Sequence, residues 1–216
     1  MKRYDTVLFD LDGTLTDPGV GITKSVEYAL NRYGITVPDR AVLYPFIGPP
    51  LIDSFMKYYG FSKEQAVEAV EVYREYFRVK GLYENEVYPG VTELLKALKE
   101  AGKTLLIASS KPEGFVLTIL KHFDLLPYFD FVGGASMDET RSKKDDVVRY
   151  VLKEANVTDP TTAILVGDRK FDVHGAHAFG LDALAVTYGY GTVEELTEAA
   201  PEHLASSPEE VKRILI

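Results

Sequence analysis

Near its N-terminus the chain joins a short apolar run to two aspartates in the sequence TVLFDLDGT, residues 6–14. In an extended strand, residues two apart point to the same side, so Asp10 and Asp12 would present their carboxylates together. The carboxyl end of a strand is also where open α/β sheets bind ligands. Because two such charges repel each other, a divalent cation or a shared proton would stabilise the pair. An ordinary acidic turn after a strand is the alternative, and this motif alone leaves both interpretations open.

Four further apolar runs along the chain are, like the first, rich in β-branched residues. They are continuously apolar, which is typical of strands that are covered on both faces. Segments with helical periodicity, such as residues 91–98 and 147–155, separate several of them. This alternation predicts an α/β fold with a Rossmann-like parallel sheet between helices. The five predicted strands are residues 6–9, 104–108, 130–132, 163–166 and 183–186.

One region interrupts the alternation, because residues 19–81 show helical periodicity without a strand pattern. Ser62 and Gln65 have the spacing of a capping box at the start of one of its helices. Since the region follows the first predicted strand, we interpret it as an inserted, all-helical cap. The predicted domains are a core, residues 1–16 and 84–216, and a cap, residues 17–83.

A second acidic cluster follows the fourth predicted strand, where the sequence GDRKFD spans residues 167–172. It puts Asp168 and Asp172 at a strand end that leads into a helix. Because the carboxyl ends of parallel strands share one edge of the sheet, this cluster and the earlier aspartates could share one Mg²⁺. Capping of the helix by Asp168 is the simpler alternative, but it would account for only one of the four acids.

Serine and lysine residues at two other predicted element ends are candidates for binding a phosphate. Ser109 and Ser110 follow the second predicted strand, and Ser110 is a predicted N-cap with Glu113 at N3. That cap would leave the Ser109 hydroxyl and free N–H groups facing the strand ends, although a plain cap without a ligand is the commoner outcome. Lys144 lies in the first turn of a predicted helix, where a cation opposes the helix dipole unless an anion is nearby. Its neighbour Lys143 is the alternative for that role.

The composition is that of a globular protein and argues against several functions. The 216 residues include 24 Lys and Arg against 33 Asp and Glu, a net charge of −9, so a nucleic-acid polymer would be repelled. No stretch of the sequence has the apolar length of a signal peptide core or a membrane span. The sequence contains no cysteine, which fits a reducing compartment, and we expect a cytoplasmic protein.

In combination, these motifs resemble those of the haloacid dehalogenase superfamily, specifically its small-molecule phosphatases with a helical cap. The resemblance covers essentially the whole chain, and its four motifs are DLDGT at residues 10–14, Ser109, Lys144, and Asp168 with Asp172. It implies that Asp10 is the nucleophile and Asp12 the general acid and base. It also implies that Ser109 and Lys144 bind the transferred phosphoryl group.

A cofactor and a reaction follow from the same resemblance. It implies one Mg²⁺ held by Asp10, the backbone carbonyl of Asp12, and Asp168, with Asp172 supporting the site through water. The implied reaction is hydrolysis of a small phosphate monoester through an aspartyl-phosphate. The expected partner is therefore a small phosphorylated metabolite rather than a nucleic-acid polymer or a membrane.

Local strings at residues 46–51 and 188–191 resemble the 5′-nucleotidase and phosphoglycolate phosphatase-like branch. Nucleoside 5′-monophosphates are the favoured substrates, and phosphoglycolate is the alternative. Phe46 could lie against a nucleotide base, but a turn made rigid by Pro49 and Pro50 explains the same string. Two other functions stay open: a sugar phosphomutase of the same architecture and a non-catalytic interaction protein. The sequence does not indicate an oligomeric state.

Overall fold

The computed structural model describes residues 4–138 and 140–216 of the chain. The chain divides into two compact units. The larger unit comprises Met1–Thr16 and Val87–Ile216, and the smaller unit comprises Asp17–Glu86. Within the described ranges, no helix has the length and apolarity that crossing a bilayer requires.

Six parallel strands form the sheet of the larger unit, which confirms the predicted α/β class. The strands in chain order are β1 (Thr6–Phe9), β2 (Thr16–Asp17), β3 (Glu86–Val87), β4 (Thr104–Pro112), β5 (Phe131–Ala135), β6 (Ala163–Gly167), β7 (Asp182–Val186) and β8 (His203–Ala205). Their order in the sheet is β5-β4-β1-β6-β7-β8, while β2 and β3 pair with each other. All five neighbouring pairs of the sheet are parallel.

Helices cover the sheet and form most of the smaller unit. They are α1 (Gly19–Arg32), α2 (Leu51–Tyr59), α3 (Lys63–Tyr76), α4 (Val91–Glu100), α5 (Glu113–His122), α6 (Lys144–Glu154), α7 (Lys170–His177), α8 (Val193–Ala199) and α9 (Pro208–Leu215). On one face of the sheet, Leu8, Leu106 and Leu165 belong to a buried cluster with Val147 and Val151 of α6. The apolar strand residues between them are also buried and point to the other face, so the strands are covered on both sides.

The predicted start of α5 is wrong. Ser110 was expected to cap this helix with Glu113 at N3, but β4 continues to Pro112 and α5 begins at Glu113. The physical reason is Pro112, because its ring disfavours helical backbone angles at the preceding residue, Lys111. The helix therefore starts only after the proline, and Ser110 stays in the strand.

One strand of the sheet was not predicted. β8 has only three residues and pairs with β7 at the edge of the sheet, where Leu184 is level with His203. Such a short edge strand has no apolar periodicity that a sequence pattern could reveal. The prediction therefore ended the sheet one strand too early.

The smaller unit is mainly helical. Ser62 caps α3, and the reciprocal bonds of the predicted capping box with Gln65 are both present. Its core contains an aromatic cluster in which Phe46, only 2% exposed, packs against Phe55 with ring centroids 5.1 Å apart. The ring of Phe46 is therefore part of the packing of this unit.

Candidate active site

The carboxyl ends of neighbouring strands in the larger unit carry the candidate site. β1 lies between β4 and β6, and Phe9 is level with Ile107 and Val166 in these two partners. Asp10 follows β1 directly, and its N–H donates to the Val166 carbonyl oxygen at 2.9 Å. The residues that follow Phe9, Ile107 and Val166 in the chain therefore lie together at one edge of the sheet.

Three buried aspartates form an acidic cluster at this edge, since Asp10, Asp168 and Asp172 are 5%, 0% and 2% exposed. One carboxylate oxygen from each lies within 4.8 Å of the others, a spacing that could hold a metal ion. Asp168 Oδ1 is buried and has no hydrogen-bond partner among the described residues. Burial, followed by the charges of Asp172 and Asp10, raises the pKa of Asp168 well above its ordinary value. A hard divalent cation such as Mg²⁺, which prefers oxygen ligands, fits this donor set.

Lys144, the first residue of α6, extends into the acidic cluster. Its Nζ lies 2.9 Å from Asp10 Oδ1 and 2.7 Å from Asp172 Oδ1, and it donates to the Ala108 carbonyl oxygen at 2.8 Å. Burial alone would lower the pKa of Lys144, but the carboxylates of Asp10 and Asp172 outweigh it and raise that pKa. Lys143, the alternative from the sequence, is exposed. The ammonium group in the site is therefore that of Lys144, and it stays charged.

Asp12 has a different partner. Its carboxylate forms a buried ion pair with Lys111, through Asp12 Oδ2 and Lys111 Nζ. Asp12 Oδ1 is buried without a hydrogen-bond partner in the described part of the chain. Burial raises the pKa of Asp12, and the charge of Lys111 acts in the opposite direction. The side chain of Asp12 is thus paired with Lys111, and it is not one of the three carboxylates whose spacing could hold a metal ion.

The two predicted phosphate-binding serines are in unequal surroundings. Ser109 is 1% exposed, and its hydroxyl accepts a hydrogen bond from the Lys111 N–H at 3.3 Å. Ser110 is partly exposed and, as described above, does not cap α5. The buried hydroxyl beside Lys111 is therefore that of Ser109.

The buried charges at this edge do not balance. When all are ionised, four buried carboxylates face two buried ammonium groups, those of Lys111 and Lys144. Two negative charges remain, and burying them without compensation would be costly. A divalent cation would supply the missing charge, which is a second reason why these residues fit Mg²⁺.

The turn between Asp12 and Thr14 depends on glycine. Gly13 has a φ of +83°, in the left-handed region that favours glycine. In addition, a Cβ at this position would overlap Asp168 Oδ2. Any side chain at Gly13 would therefore displace the carboxylate of Asp168.

Sequence reasoning missed one functional candidate, Lys111. The available signal was its spacing, because a lysine two residues after Ser109 in an extended segment can lie on the same side of the strand. The expected helix start at Ser110 obscured this relationship. The structure thus brings together Asp10, Asp168, Asp172 and Lys144, and adds the pair of Lys111 and Asp12.

The parallel sheet with buried aspartates and lysines at its strand ends places the chain among α/β enzymes that bind ligands at this edge. More specifically, the chain belongs to the haloacid dehalogenase-like hydrolase family, whose model matches residues 7–186. The expected enzyme class, a phosphoric monoester hydrolase of this family, is confirmed.

Individual relatives cover nearly the whole chain. It is 45% identical over 213 residues to a Pseudomonas aeruginosa protein named 5′-nucleotidase, covering 99% of this chain and 96% of that protein. It is 29% identical over 215 residues to a Vibrio vulnificus phosphoglycolate phosphatase, covering 95% and 93%. A crystal structure of a predicted phosphatase from Clostridium acetobutylicum superposes with a TM-score of 0.96 at 47% identity, covering 99% of each chain.

One relative has a name of another class. The Mycobacterium tuberculosis protein named tyrosine-protein kinase PtkA is 38% identical over 188 residues. The match covers 87% of this chain but only 64% of that protein, so this chain spans less than two thirds of its length.

Proposed function

We propose that this chain is a Mg²⁺-dependent phosphatase that hydrolyses small phosphate monoesters through an aspartyl-phosphate at Asp10. The observation that carries the proposal is the position of the Lys144 ammonium, between Asp10 and Asp172 in a buried acidic cluster. A carboxylate that attacks a phosphate dianion needs positive charge nearby, because the two negative groups otherwise repel each other. Lys144 supplies such a charge next to the proposed nucleophile.

The proposed cation site uses residues that are already close together. Asp10 and Asp168, with the backbone carbonyl of Asp12, would hold Mg²⁺, and the bound ion would offset negative charge on the phosphoryl group. Both carboxylate oxygens of Asp172 already have contacts within the protein. Its Oδ1 lies near Lys144 Nζ, and its Oδ2 accepts a hydrogen bond from the Arg169 N–H at 3.0 Å. We therefore assign Asp172 a supporting role through water.

The proposed reaction has two steps that share the same aspartates. In the first, an Asp10 carboxylate oxygen attacks phosphorus, the bond from phosphorus to the ester oxygen breaks, and Asp12 gives its proton to that oxygen. In the second, Asp12 takes a proton from water, and the resulting hydroxide attacks phosphorus and releases inorganic phosphate. Asp10 is then a free carboxylate and Asp12 is protonated again, so the cycle closes. Ser109 and Lys144 would hold the phosphoryl oxygens throughout.

The environment of Asp12 supports its role as a proton donor. Burial raises the pKa of Asp12 and thereby favours the protonated form, while the charge of Lys111 favours the carboxylate. A general acid and base must take up and release the proton within one cycle, and these opposing influences suit that requirement. In the proposed mechanism, Lys111 also holds Asp12 in place, because Lys111 Nζ donates a hydrogen bond to Asp12 Oδ2.

For the substrate, we favour nucleoside 5′-monophosphates. The support is the relative named 5′-nucleotidase, which matches this chain over nearly its full length, and phosphoglycolate is the second candidate because of the relative with that name. We also propose that residues 17–83, the predicted cap, select the leaving group. Phe46 is not our choice for contacting a base, because its ring is buried against Phe55 and Tyr58.

The test is phosphate release from a panel of esters at a fixed Mg²⁺ concentration. The panel contains nucleoside 5′-monophosphates, phosphoglycolate, hexose phosphates and phosphotyrosine, and each ester is also given to the Asp10→Asn variant as the matched control. We expect the highest kcat/KM with a nucleoside monophosphate and no release above background from Asp10→Asn. Hydrolysis by Asp10→Asn at the wild-type rate would refute the assignment of the nucleophile.

The same panel separates the alternative functions. A sugar phosphomutase would convert hexose 1-phosphate to hexose 6-phosphate instead of releasing phosphate. A non-catalytic interaction protein would release phosphate from none of the esters. A preference for phosphoglycolate would replace the nucleotide assignment and leave the proposed chemistry unchanged.

A further inference from the structure

The loop after β7 lies against two parts of the candidate site at once. β7 neighbours β6 in the sheet, with Ala185 level with Gly167, so residues 188–191 follow a strand next to the one that precedes Asp168. The Tyr190 N–H donates to Asp168 Oδ2 at 2.7 Å. The Tyr188 hydroxyl donates to the Thr14 carbonyl oxygen at 3.0 Å. One loop thus holds both the Asp168 carboxylate and the turn that follows Asp12.

The two glycines of this loop are required for space. Neither Gly189 nor Gly191 has a φ in the left-handed region, so their backbone conformation is open to other residues. A Cβ on Gly189 would overlap the Gly13 carbonyl oxygen and the side chain of Asp168. A Cβ on Gly191 would overlap the Asp168 carbonyl oxygen. The loop can approach Asp168 this closely only because both residues lack a side chain.

The contacts divide the two oxygens of Asp168 between different tasks. Oδ2 accepts the Tyr190 N–H, whereas Oδ1 is buried and has no hydrogen-bond partner in the described part of the chain. A carboxylate held by one oxygen in a fixed orientation presents its other oxygen as a preorganised ligand. The loop therefore determines where the free oxygen of Asp168 lies.

We propose that residues 188–191 position Asp168 for divalent-cation binding, so that cation affinity depends on residues that are not ligands. Gly189 permits the close approach, the Tyr190 N–H orients the carboxylate, and the Tyr188 hydroxyl fixes the loop to the turn at Thr14. This proposal rests on the cation site of the proposed function, but it concerns binding and can be tested without turnover.

The test measures Mn²⁺ binding to the full chain by electron paramagnetic resonance of free Mn²⁺, without substrate. We expect Gly189→Ala to weaken Mn²⁺ binding by about ten-fold or more, the usual effect of losing a partner that orients a ligand. The matched control is Gly114→Ala, because a Cβ at that helical position would have no described atom within 4 Å apart from its chain neighbours and the backbone of its own helix. The control should bind Mn²⁺ like the wild type.

A second variant covers the possibility that Gly189→Ala fails to fold, which circular dichroism would reveal. Tyr188→Phe keeps the ring and its edge-to-face packing on Tyr88 but loses the bond to the Thr14 carbonyl. We expect it to weaken Mn²⁺ binding by a smaller factor, roughly three-fold. Wild-type affinity in folded Gly189→Ala, or in Tyr188→Phe if Gly189→Ala does not fold, would overturn the proposal.

The outcomes also separate this proposal from the proposed function. Weaker Mn²⁺ binding by Gly189→Ala supports the positioning role even if the wild type hydrolyses none of the esters in the panel. Conversely, active wild-type enzyme together with unchanged Mn²⁺ affinity in the variant leaves the phosphatase in place and removes the positioning role.

Discussion

The ammonium group of Lys111 is paired with the carboxylate of Asp12, although 99 residues separate them in the sequence. Both side chains are buried, so neither can replace its partner with bulk water. Breaking such a pair costs much more than the pair itself contributes, because an uncompensated charge stays behind. The chemistry proposed for Asp12 therefore depends on a residue outside the four motifs of the family resemblance.

Replacing Lys111 with methionine should destabilise the protein in a pH-dependent way. Loss of the ammonium group costs about 3–5 kcal/mol while Asp12 stays ionised. Burial already raises the pKa of Asp12, and without Lys111 it rises further, so the folded state holds a proton that the unfolded state releases. Stability should then fall as the pH rises from about 4 towards the raised pKa. Urea unfolding of Lys111→Met and the wild type at pH 6 and pH 8 measures this pH dependence of the unfolding free energy.

Lys96→Met is the control for that measurement, since the Lys96 side chain is 68% exposed and its pair with Glu100 spans 4.0 Å. It should change the unfolding free energy by about 0.5 kcal/mol or less. Equal losses for Lys111→Met and Lys96→Met would contradict the importance of the buried pair.

Replacing Asp12 with asparagine should separate the two chemical steps. With p-nitrophenyl phosphate, whose leaving group needs no proton, the aspartyl-phosphate should still form. Its hydrolysis should slow by about 100-fold or more, because no base activates the water. Rapid-quench kinetics should then show a burst of nitrophenol stoichiometric with enzyme, followed by slow turnover.

The control for the burst is the Asp10→Asn variant, which should show neither burst nor turnover with the same ester. Steady turnover by Asp12→Asn at the wild-type rate, without a burst, would show that Asp12 is not the base.

Replacing Lys144 with methionine should damage both stability and activity. The variant leaves Asp10 and Asp172 without the ammonium group that lies within 2.9 Å of both. We expect a loss of about 3–5 kcal/mol in unfolding free energy without Mg²⁺, and at least a ~100-fold loss of kcat/KM for phosphate release. Lys143→Met, one residue away and exposed, should lie within about 0.5 kcal/mol of the wild type. Similar behaviour of the two variants would exclude the assigned role.

Addition of Mg²⁺ should stabilise the protein more at pH 8 than at pH 5.5. Burial and neighbouring carboxylates raise the pKa of Asp168, so without a cation the folded state retains a proton that the ordinary carboxyl group of the unfolded state has lost. Cation-free stability should therefore fall as the pH rises above about 4, through the raised pKa. Mg²⁺ must displace that proton, so it binds more tightly at higher pH.

Differential scanning calorimetry with and without MgCl₂ measures this effect. At 100 times the Kd, the stabilisation should be about 2.7 kcal/mol. Asp168→Asn should remove most of the Mg²⁺-dependent shift in Tm and its pH dependence. A shift that is the same at both pH values, or one that persists in Asp168→Asn, would contradict a cation site at this carboxylate.

Much of the larger unit could be predicted from sequence because its strands are buried on both faces. Continuous apolar runs such as residues 6–9 and 163–166 then stand out from the amphipathic helices between them. The aspartates that follow these runs could be placed at one edge of the sheet, because all carboxyl ends of parallel strands lie at the same edge. Helical periodicity alone could not choose between Lys144 and Lys143. The family resemblance favoured Lys144, and the structure places its ammonium group near Asp10 and Asp172.

Other features depend on contacts between distant residues, which local sequence patterns reveal weakly or not at all. Lys111 belongs to the site because β4 continues to Pro112. Pro112 keeps the preceding residue, Lys111, out of the helical conformation. The helix cap expected at Ser110 concealed this effect. The glycines of residues 188–191 have backbone angles open to any residue, so nothing local explains them. Their reason is the closeness of Asp168, which only the folded chain reveals.

The central place of β1 in the sheet has a consequence for biosynthesis. Asp10 is translated before both neighbours of β1, and β6, on one side of β1, is translated later than β4, on the other side. Until β6 has emerged, the first strand has an open edge and Asp10 lacks the Val166 carbonyl that anchors its N–H. A nascent chain thus carries its proposed nucleophile without a complete site around it until β6 has been translated, about 150 residues after Asp10.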